Sequence, residues 1–504
     1  MSIKKTMVLQ KDSEIVALVS GMGMSGEGII KLEGFPSVGG VALRSNDGVV
    51  CKKSDAQRSL FTIFVPFALP GEKVRVKITK LNKNFAHAKV LKIILPADER
   101  VRPPCKVFET CGGCRLQHYK YGCQLRHKSR FIAESFHKIA HLKVTVAKCV
   151  KSEKYYEYRN KFQFFTRSDN NDDIITGLFM EDSKNLTEIS ECPIAPLWSK
   201  IIIAVIKSYL TENGLGAYNA KTGEGYLKSV IVREVDSRLL ITLIINGDNF
   251  LCQKELVKLL DSAFSKYSLF YNVNKELNSD IPSDNYICVK GFGKILAGDF
   301  GLKCEVGPGT FMQVNDGVSH KLYARILKYA EAGRGDTVVN AYSGVGVLTA
   351  LFARECKKAY GIEIVENSHN CAETIRVNNQ LKDKMINILG DCAEMLPPLL
   401  KKLQNAKEKI TLVLNPPKKG CDEKLLNIIS DGFINKILYI SCNPATLARD
   451  IGVIKGSLKA ANGELKKNAD YKENESKYLI THIQPFDMFP QTKHVETLVC
   501  LQRK

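Results

Sequence analysis

The run KILYISCNPATLARD at 436–450 places a cysteine, Cys442, between a β-branched and aromatic stretch and an Asn-Pro pair that opens a helix. Proline in the first helical turn locks the backbone behind the thiol. A helix start beside a thiol also favours its thiolate form. Such a residue suits a nucleophile aimed at a ligand; the plainer alternative is a small apolar side chain closing a core strand. A second group stands in PPCKVFETCGGCRLQH, where Cys105, Cys111 and Cys114 are separated by five and then two residues. Its Gly-Gly pair lets the backbone wrap closely around a metal centre, and both zinc and iron–sulfur accept thiolate ligands. A fourth ligand is expected from Cys192, in the turn-like Cys-Pro of ISECPIA, ahead of Cys123, which sits within a helical pattern.

A third stretch, VVNAYSGVGVLTALFA at 338–353, reads as strand, glycine turn and apolar helix, with Gly344 and Gly346 permitting close backbone approach. Nineteen positions after Gly344 comes Glu363, at the end of a second strand, YGIEI, where an acid can accept hydrogen bonds from ribose hydroxyls. The order fits a nucleoside cofactor, NAD or S-adenosylmethionine. Thr349 stands where dinucleotide folds keep a third glycine for helix–strand packing, which favours S-adenosylmethionine.

These groups need a scaffold larger than one core, since 504 residues predict two or three domains. Residues 12–95 show short alternating runs (EIVALV, GVALRS, TIFVPF, KVRVKITKL, HAKVLKIIL) between glycine-rich and Pro-Gly turns, as in a small oligonucleotide-binding type of barrel. DERVRPPC at 98–105 reads as a linker. A mixed α+β region follows to about 300, and from about 305 five β-rich runs alternate with helices, as in a doubly wound sheet. The expected division is 1–98, 99–300 and 301–504. GELKKNADYKENES at 463–476 reads as a surface loop.

The formal net charge of +20 suits a polyanion partner, although general lysine enrichment gives the same figure. No stretch is long and apolar enough to span a bilayer, and the charged N-terminus lacks the apolar core of a secretion signal. A cytoplasmic protein is expected, with its 16 cysteines reduced.

Taken together, these motifs resemble the RNA uracil-5 methyltransferase family, in particular its 23S ribosomal RNA branch. FVPFALPGEKVRVKI is similar to the family's TRAM barrel, and the cysteine spacing is similar to its [4Fe–4S] site. YRNKFQFF at 158–165, FMQVN at 311–315, SCNPATLARD at 441–450 and DMFPQTKHVETLV at 487–499 carry the resemblance furthest. It implies a TRAM barrel, a central α+β domain and a C-terminal Rossmann-like α/β methyltransferase domain. It implies Cys442 as the nucleophile that adds to uridine C6, and Glu496 as the general base that removes the C5 proton. S-adenosylmethionine would be held by Gln313, Tyr342, Glu363, Asp391 and Asn415, and the [4Fe–4S] cluster by Cys105, Cys111, Cys114 and Cys192. The partner would be ribosomal RNA; a monomer is the default expectation, on which the sequence is silent.

Some residues depart from the family pattern. Asn415 stands where its D-P-P-R-x-G motif has aspartate, Lys418 where it has arginine, and Asn340 where an acid is common. Cys421 is a rival nucleophile and His494 a rival base, each expected instead to be an ordinary loop residue. Two other functions compete: methylation of the transfer-RNA T-loop uridine, and a non-catalytic RNA-binding or ribosome-assembly role motivated by Asn340 and Asn415. The barrel and cluster favour ribosomal RNA, because the family's bacterial transfer-RNA branch usually lacks both.

Overall fold

The computed structural model describes residues 9–32, 44–45, 48–49, 61–168, 173–277, 279–461 and 464–504. The chain forms two compact units. One comprises Met1–Glu109, Cys114–His127 and Gln491–Lys493; the other comprises Thr110–Gly113, Lys128–Pro490 and His494–Lys504. Among the described residues no helix is long and apolar enough to cross a membrane.

The first unit is built on a six-stranded sheet: β1 (Glu14–Leu18), β2 (Gly21–Met22), β3 (Gly28–Leu32), β4 (Phe61–Val65), β5 (Lys73–Leu81) and β6 (Phe85–Leu95), in the order β1-β5-β6-β4-β3-β2. Strict alternation decides which face is core: Ile63, Val65, Val74, Val76, Ile78, Ala86 and Ala88 point inward and are buried. Three register breaks between β5 and β6 bend the sheet. The expected strand GVALRS lies outside the described residues except for Arg44–Ser45, which pairs with Gly48–Val49. The expected linker is fastened down: Arg100 Nε and Nη2 reach the two carboxylate oxygens of buried Glu72 at 2.5 and 2.9 Å.

The second unit holds two seven-stranded sheets. The sheet nearer the N-terminus is mixed, with strands 161–168, 227–235 and 238–245 at its centre and helices Trp198–Glu212 and Gln253–Ala263 in its connections. The C-terminal sheet contains the five expected runs as β7 (Thr337–Ala341), β8 (Lys358–Glu363), β9 (Met385–Leu389), β10 (Ile410–Leu414) and β11 (Lys436–Ser441). They pair in parallel in the order β9-β8-β7-β10-β11. Two further strands complete the sheet, β12 (Tyr478–Phe486) and β13 (Glu496–Arg503). The last strand in sequence, β13, runs antiparallel between β11 and β12. Sequence alternation does not reveal it, because its first six residues are all buried. The expected surface loop at 463–476 is partly ordered: Glu464–Lys467 pairs with Leu458–Ala461 as a hairpin, and Glu473–Glu475 makes a 3-10 turn.

Between β12 and β13 the chain turns over a buried ion pair. Lys128 Nζ lies 2.5 Å from Asp487 Oδ1 and donates to the Phe489 carbonyl at 3.1 Å. Both side chains are essentially inaccessible to water. Removing one partner of a buried pair strands the other charge, which costs about 3–5 kcal/mol, whereas replacing both is far milder. Lys128→Met is therefore expected to lose about 3–5 kcal/mol of stability in urea unfolding, and the Lys128→Met/Asp487→Leu double variant to recover much of it. Equal losses in the two variants would show that the pair does not hold this turn.

Candidate active site

Five strand ends meet along the carboxyl edge of the parallel sheet, the edge where open α/β sheets bind ligands. After β7 the chain makes a tight loop, Tyr342-Ser343-Gly344-Val345-Gly346, before helix Val347–Glu355. Tyr342 has φ +59°, Gly344 φ +56° and Gly346 φ +85°. A Cβ on Gly346 would lie 2.6 Å from the Ala372 Cβ, so only glycine allows this close approach. Glu363, ending β8, accepts the Gly344 N–H at 2.8 Å through one carboxylate oxygen and the Val365 N–H at 2.9 Å through the other. Carboxylate oxygens each have a second acceptor site, leaving Glu363 able to take hydroxyl donors as well. Asp391, after β9, caps helix Cys392–Asn405 by accepting the Ala393 N–H at 2.7 Å. Asn415 follows β10, its N–H donating to the Ala341 carbonyl at 3.4 Å. Positive-φ glycines, a helix start and an acid on the next strand suit a nucleoside donor such as S-adenosylmethionine.

Gln313 belongs to a different element, the loop before helix Asp316–Ala330. Its carbonyl accepts from Asn160 Nδ2 at 2.9 Å. Its neighbours Met312 and Asn315 line a cavity of about 500 Å³ together with Tyr158, Asn160 and Asp316, and neither Cys442 nor Glu496 contributes to that cavity.

Cys442 follows β11 directly and is half-buried. Ser441 and Asn443 clamp it from both sides: the Asn443 N–H donates to Ser441 Oγ at 3.0 Å, and Asn443 Oδ1 accepts the Ala445 N–H at 3.1 Å. Helix Pro444–Lys455 starts here, with proline in its first turn. Antiparallel pairing of Ser441 with Thr497 brings Cys442 opposite Glu496, the first residue of β13. Side chains directly opposite in such a pair lie on one face with Cβ atoms roughly 4.5–5.5 Å apart.

Electrostatics correct one expectation from the sequence. The Cys442 thiol is not lowered at rest; burial pushes it up, the Glu496 charge adds to this, and Lys418 opposes. Glu496 is 5% exposed and burial pushes its carboxyl from 4.5 up to about 8. Lys418 does not outweigh desolvation. Lys418 is thus a residue whose importance the sequence flagged only as a departure from a motif. Its loop is pinned to the nucleophile's helix, its carbonyl accepting from Asn443 Nδ2 and Thr446 Oγ1, both at 3.1 Å.

The rivals fall into structural roles. Cys421 is buried, its thiol pushed up to about 12 by desolvation, and Tyr439 Oη lies 3.6 Å from its sulfur. His494 packs edge-on against Phe489, ring centroids 6.0 Å apart. Asn340 also has a structural explanation: its Nδ2 donates to Thr349 Oγ1 at 2.9 Å, a buried hydrogen bond that joins the glycine-loop helix to β7.

Among the described residues no three or more His, Cys, Asp or Glu side chains are arranged to hold a metal ion. Cys105 and Cys114 belong to the first unit, and Cys111 and Cys192 to the second. None of the four is in a disulfide.

Compared with known proteins, residues 299–504 match the tRNA (uracil-5-)-methyltransferase family and residues 13–91 the TRAM domain. An uncharacterised RNA methyltransferase of Clostridium tetani is 30% identical over 502 residues, covering 99% of this chain and 98% of that one. Another, from Listeria innocua, is 29% identical and covers 99% of each chain. The Pyrococcus abyssi tRNA (uracil-54, C5)-methyltransferase, solved with S-adenosyl-L-homocysteine, has a similar fold. Its TM-score is 0.67 at 21% identity, covering 96% of this chain and 99% of that one.

A carboxyl raised by folding binds its proton more tightly in the native state, so its contribution to stability is full below 4.5 and falls as pH climbs to about 8. The Glu496→Gln variant, with nothing to ionise, is expected to gain stability over wild type across that window. Denaturant titrations at both ends measure the difference, and parallel curves would contradict burial as the cause.

Proposed function

Because the chain belongs to the S-adenosylmethionine-dependent RNA uracil-5 methyltransferase family, we propose that it methylates C5 of a uridine in structured RNA through a covalent bond from Cys442. The observation that supports this most is the Ser441–Thr497 register, whose continuation sets Cys442 opposite the buried carboxyl of Glu496, whose charge the thiol senses. Uracil C5 is a weak nucleophile, and addition of a thiolate at C6 makes it enolate-like. The donor, held by Tyr342, Glu363, Asp391 and Asn415 along the sheet edge and by Gln313, supplies an electrophilic methyl group on sulfur.

Cys442 loses its thiol proton to solvent, and its sulfur bonds to C6, shifting the C5–C6 electron pair onto C5. C5 bonds to the methyl group as the methyl–sulfur bond of the donor breaks, leaving S-adenosylhomocysteine, and C5 still carries its own proton. Glu496, ionised, takes that proton; the electron pair re-forms the C5–C6 double bond, and the C6–sulfur bond breaks to release 5-methyluridine. A carboxyl at about 8 lies close enough to working pH to take and return a proton. Lys418 favours the thiolate, and the helix start beneath Pro444 holds the sulfur in place. Turning the base out of its stack requires an RNA-holding surface, which the TRAM unit would provide.

The first reading of the substrate is large-subunit ribosomal RNA, modified by a cytoplasmic monomer. A second reading, transfer RNA, gains from the similar fold of the Pyrococcus abyssi enzyme, which is a tRNA (uracil-54, C5)-methyltransferase. Mapping 5-methyluridine in both RNAs from a deletion strain discriminates between the two.

Glu496→Gln is expected to accumulate an RNA–protein adduct that survives denaturing gels, and Cys442→Ala to form none. Product formation by wild type should rise as pH crosses about 8, where Glu496 becomes a base. An adduct that persists in Cys442→Ala refutes the assignment.

The [4Fe–4S] assignment of Cys105, Cys111, Cys114 and Cys192 rests on the resemblance of the cysteine pattern to the family's cluster site, and no step runs through it. Protein isolated without oxygen should contain iron and acid-labile sulfide in equal amounts, both lost in Cys111→Ser. Absence of both from the wild type removes the cluster from this reading.

A further inference from the structure

The outer face of the first unit's sheet carries three aromatic rings in mutual contact. Phe64 lies on β4, and Phe85 and His87 on β6. Parallel pairing sets Thr62 beside Phe85 and Phe64 beside His87, while the intervening Ile63 and Ala86 face the core. Ring centroids are 5.9 Å apart for Phe64–Phe85, 5.7 Å for Phe64–His87 and 5.5 Å for Phe85–His87. Phe85 stands nearly perpendicular to both neighbours, at 73° and 82°, and is 37% exposed. Core packing does not account for the cluster, because the residues that fill this core are on the opposite face.

Charge surrounds the rings on both sides. Across β6, His87 pairs with Lys80 on β5; across β4, Thr62 pairs with Lys31 on β3. Lys31, Lys80, Lys83 and Lys89 are all exposed. Strands β3, β5 and β6 carry lysine, β5 also arginine, and none of β3, β4, β5 and β6 has an acidic residue. Lys77 is paired with Asp12 at 3.0 Å, while Lys80 and Lys89 stand exposed on the strands beside the rings.

We propose that Phe64, Phe85 and His87 form a platform on which unpaired RNA bases stack, with Lys31, Lys80 and Lys89 meeting the phosphates on either side. Every base presents a π-face, so such a platform holds single strands with little sequence preference, and the lysines supply the salt-dependent share of binding. Duplex RNA has its bases already stacked and would gain only the second part. The inference deepens the RNA-methylation reading, since it names the RNA feature that this unit holds. It depends on that reading only for the class of partner.

The test is equilibrium binding of the full chain to a fluorescein-labelled oligouridylate of about ten nucleotides, within the site sizes of barrel-type binders, and to a duplex of equal length. All proteins carry Cys442→Ala and no methyl donor is present, so methylation does not enter the readout. Phe85→Ala is expected to weaken oligouridylate binding roughly 5- to 150-fold with the salt dependence unchanged. Phe85→Tyr should restore it, and duplex binding should scarcely move. Lys80→Ala should instead lower the salt dependence for both probes. Phe85→Ala bound within twofold of the parent, or equal losses for single strand and duplex, would overturn the platform. Failure of the parent protein to bind either RNA would overturn the platform and the RNA reading together.

Discussion

The position of the last strand determines the site. β13 enters the sheet antiparallel, between β11 and β12, and its first residue falls opposite the residue that leaves β11. A thiol and a carboxyl more than fifty positions apart in sequence thereby become neighbours on one face. The same insertion buries the carboxyl, and burial raises it. A parallel fifth strand with an open edge would have left Cys442 facing solvent with no base beside it. The turn that precedes β13 is itself anchored, by Lys128 against Asp487, so the register of the pair is tied to a buried ion pair.

The donor side depends on a different device. Backbone groups are brought close by residues at positive φ, and Glu363 holds the glycine loop by its N–H while keeping capacity for further donors. Asn340 and Thr349, which look like losses in comparison with related motifs, contribute a hydrogen bond to each other inside the protein. What they give is helix–strand packing, the role that glycine fills in dinucleotide folds. Lys418 gives up the planar fork of arginine yet keeps a positive charge that the thiol senses.

Parts of this were legible in the chain. Five β-rich runs and the glycine turn fixed the parallel half of the sheet, because local alternation and turn chemistry are properties of neighbouring residues. Cys442 and Glu496 were legible as residues, each in a distinctive run. Their protonation was not: the helix start suggested a lowered thiol, whereas desolvation, a consequence of what packs around it, raises it. β13 escaped detection because burial on both faces erases alternation. The cysteines read as a ligand group by type and spacing, which are local properties, whereas convergence on one metal is a tertiary one.

The sequence by itself determined the types of group available, the local elements that carry them and the order in which those elements occur. Tertiary structure alone decided which groups face each other, which carry charge at rest and which exposed rings stand together on the outer face of the N-terminal sheet. The physical reason is that hydrogen-bonding preference and periodicity act over a few residues. Strand insertion and the dielectric around a side chain, by contrast, are set by segments distant along the chain.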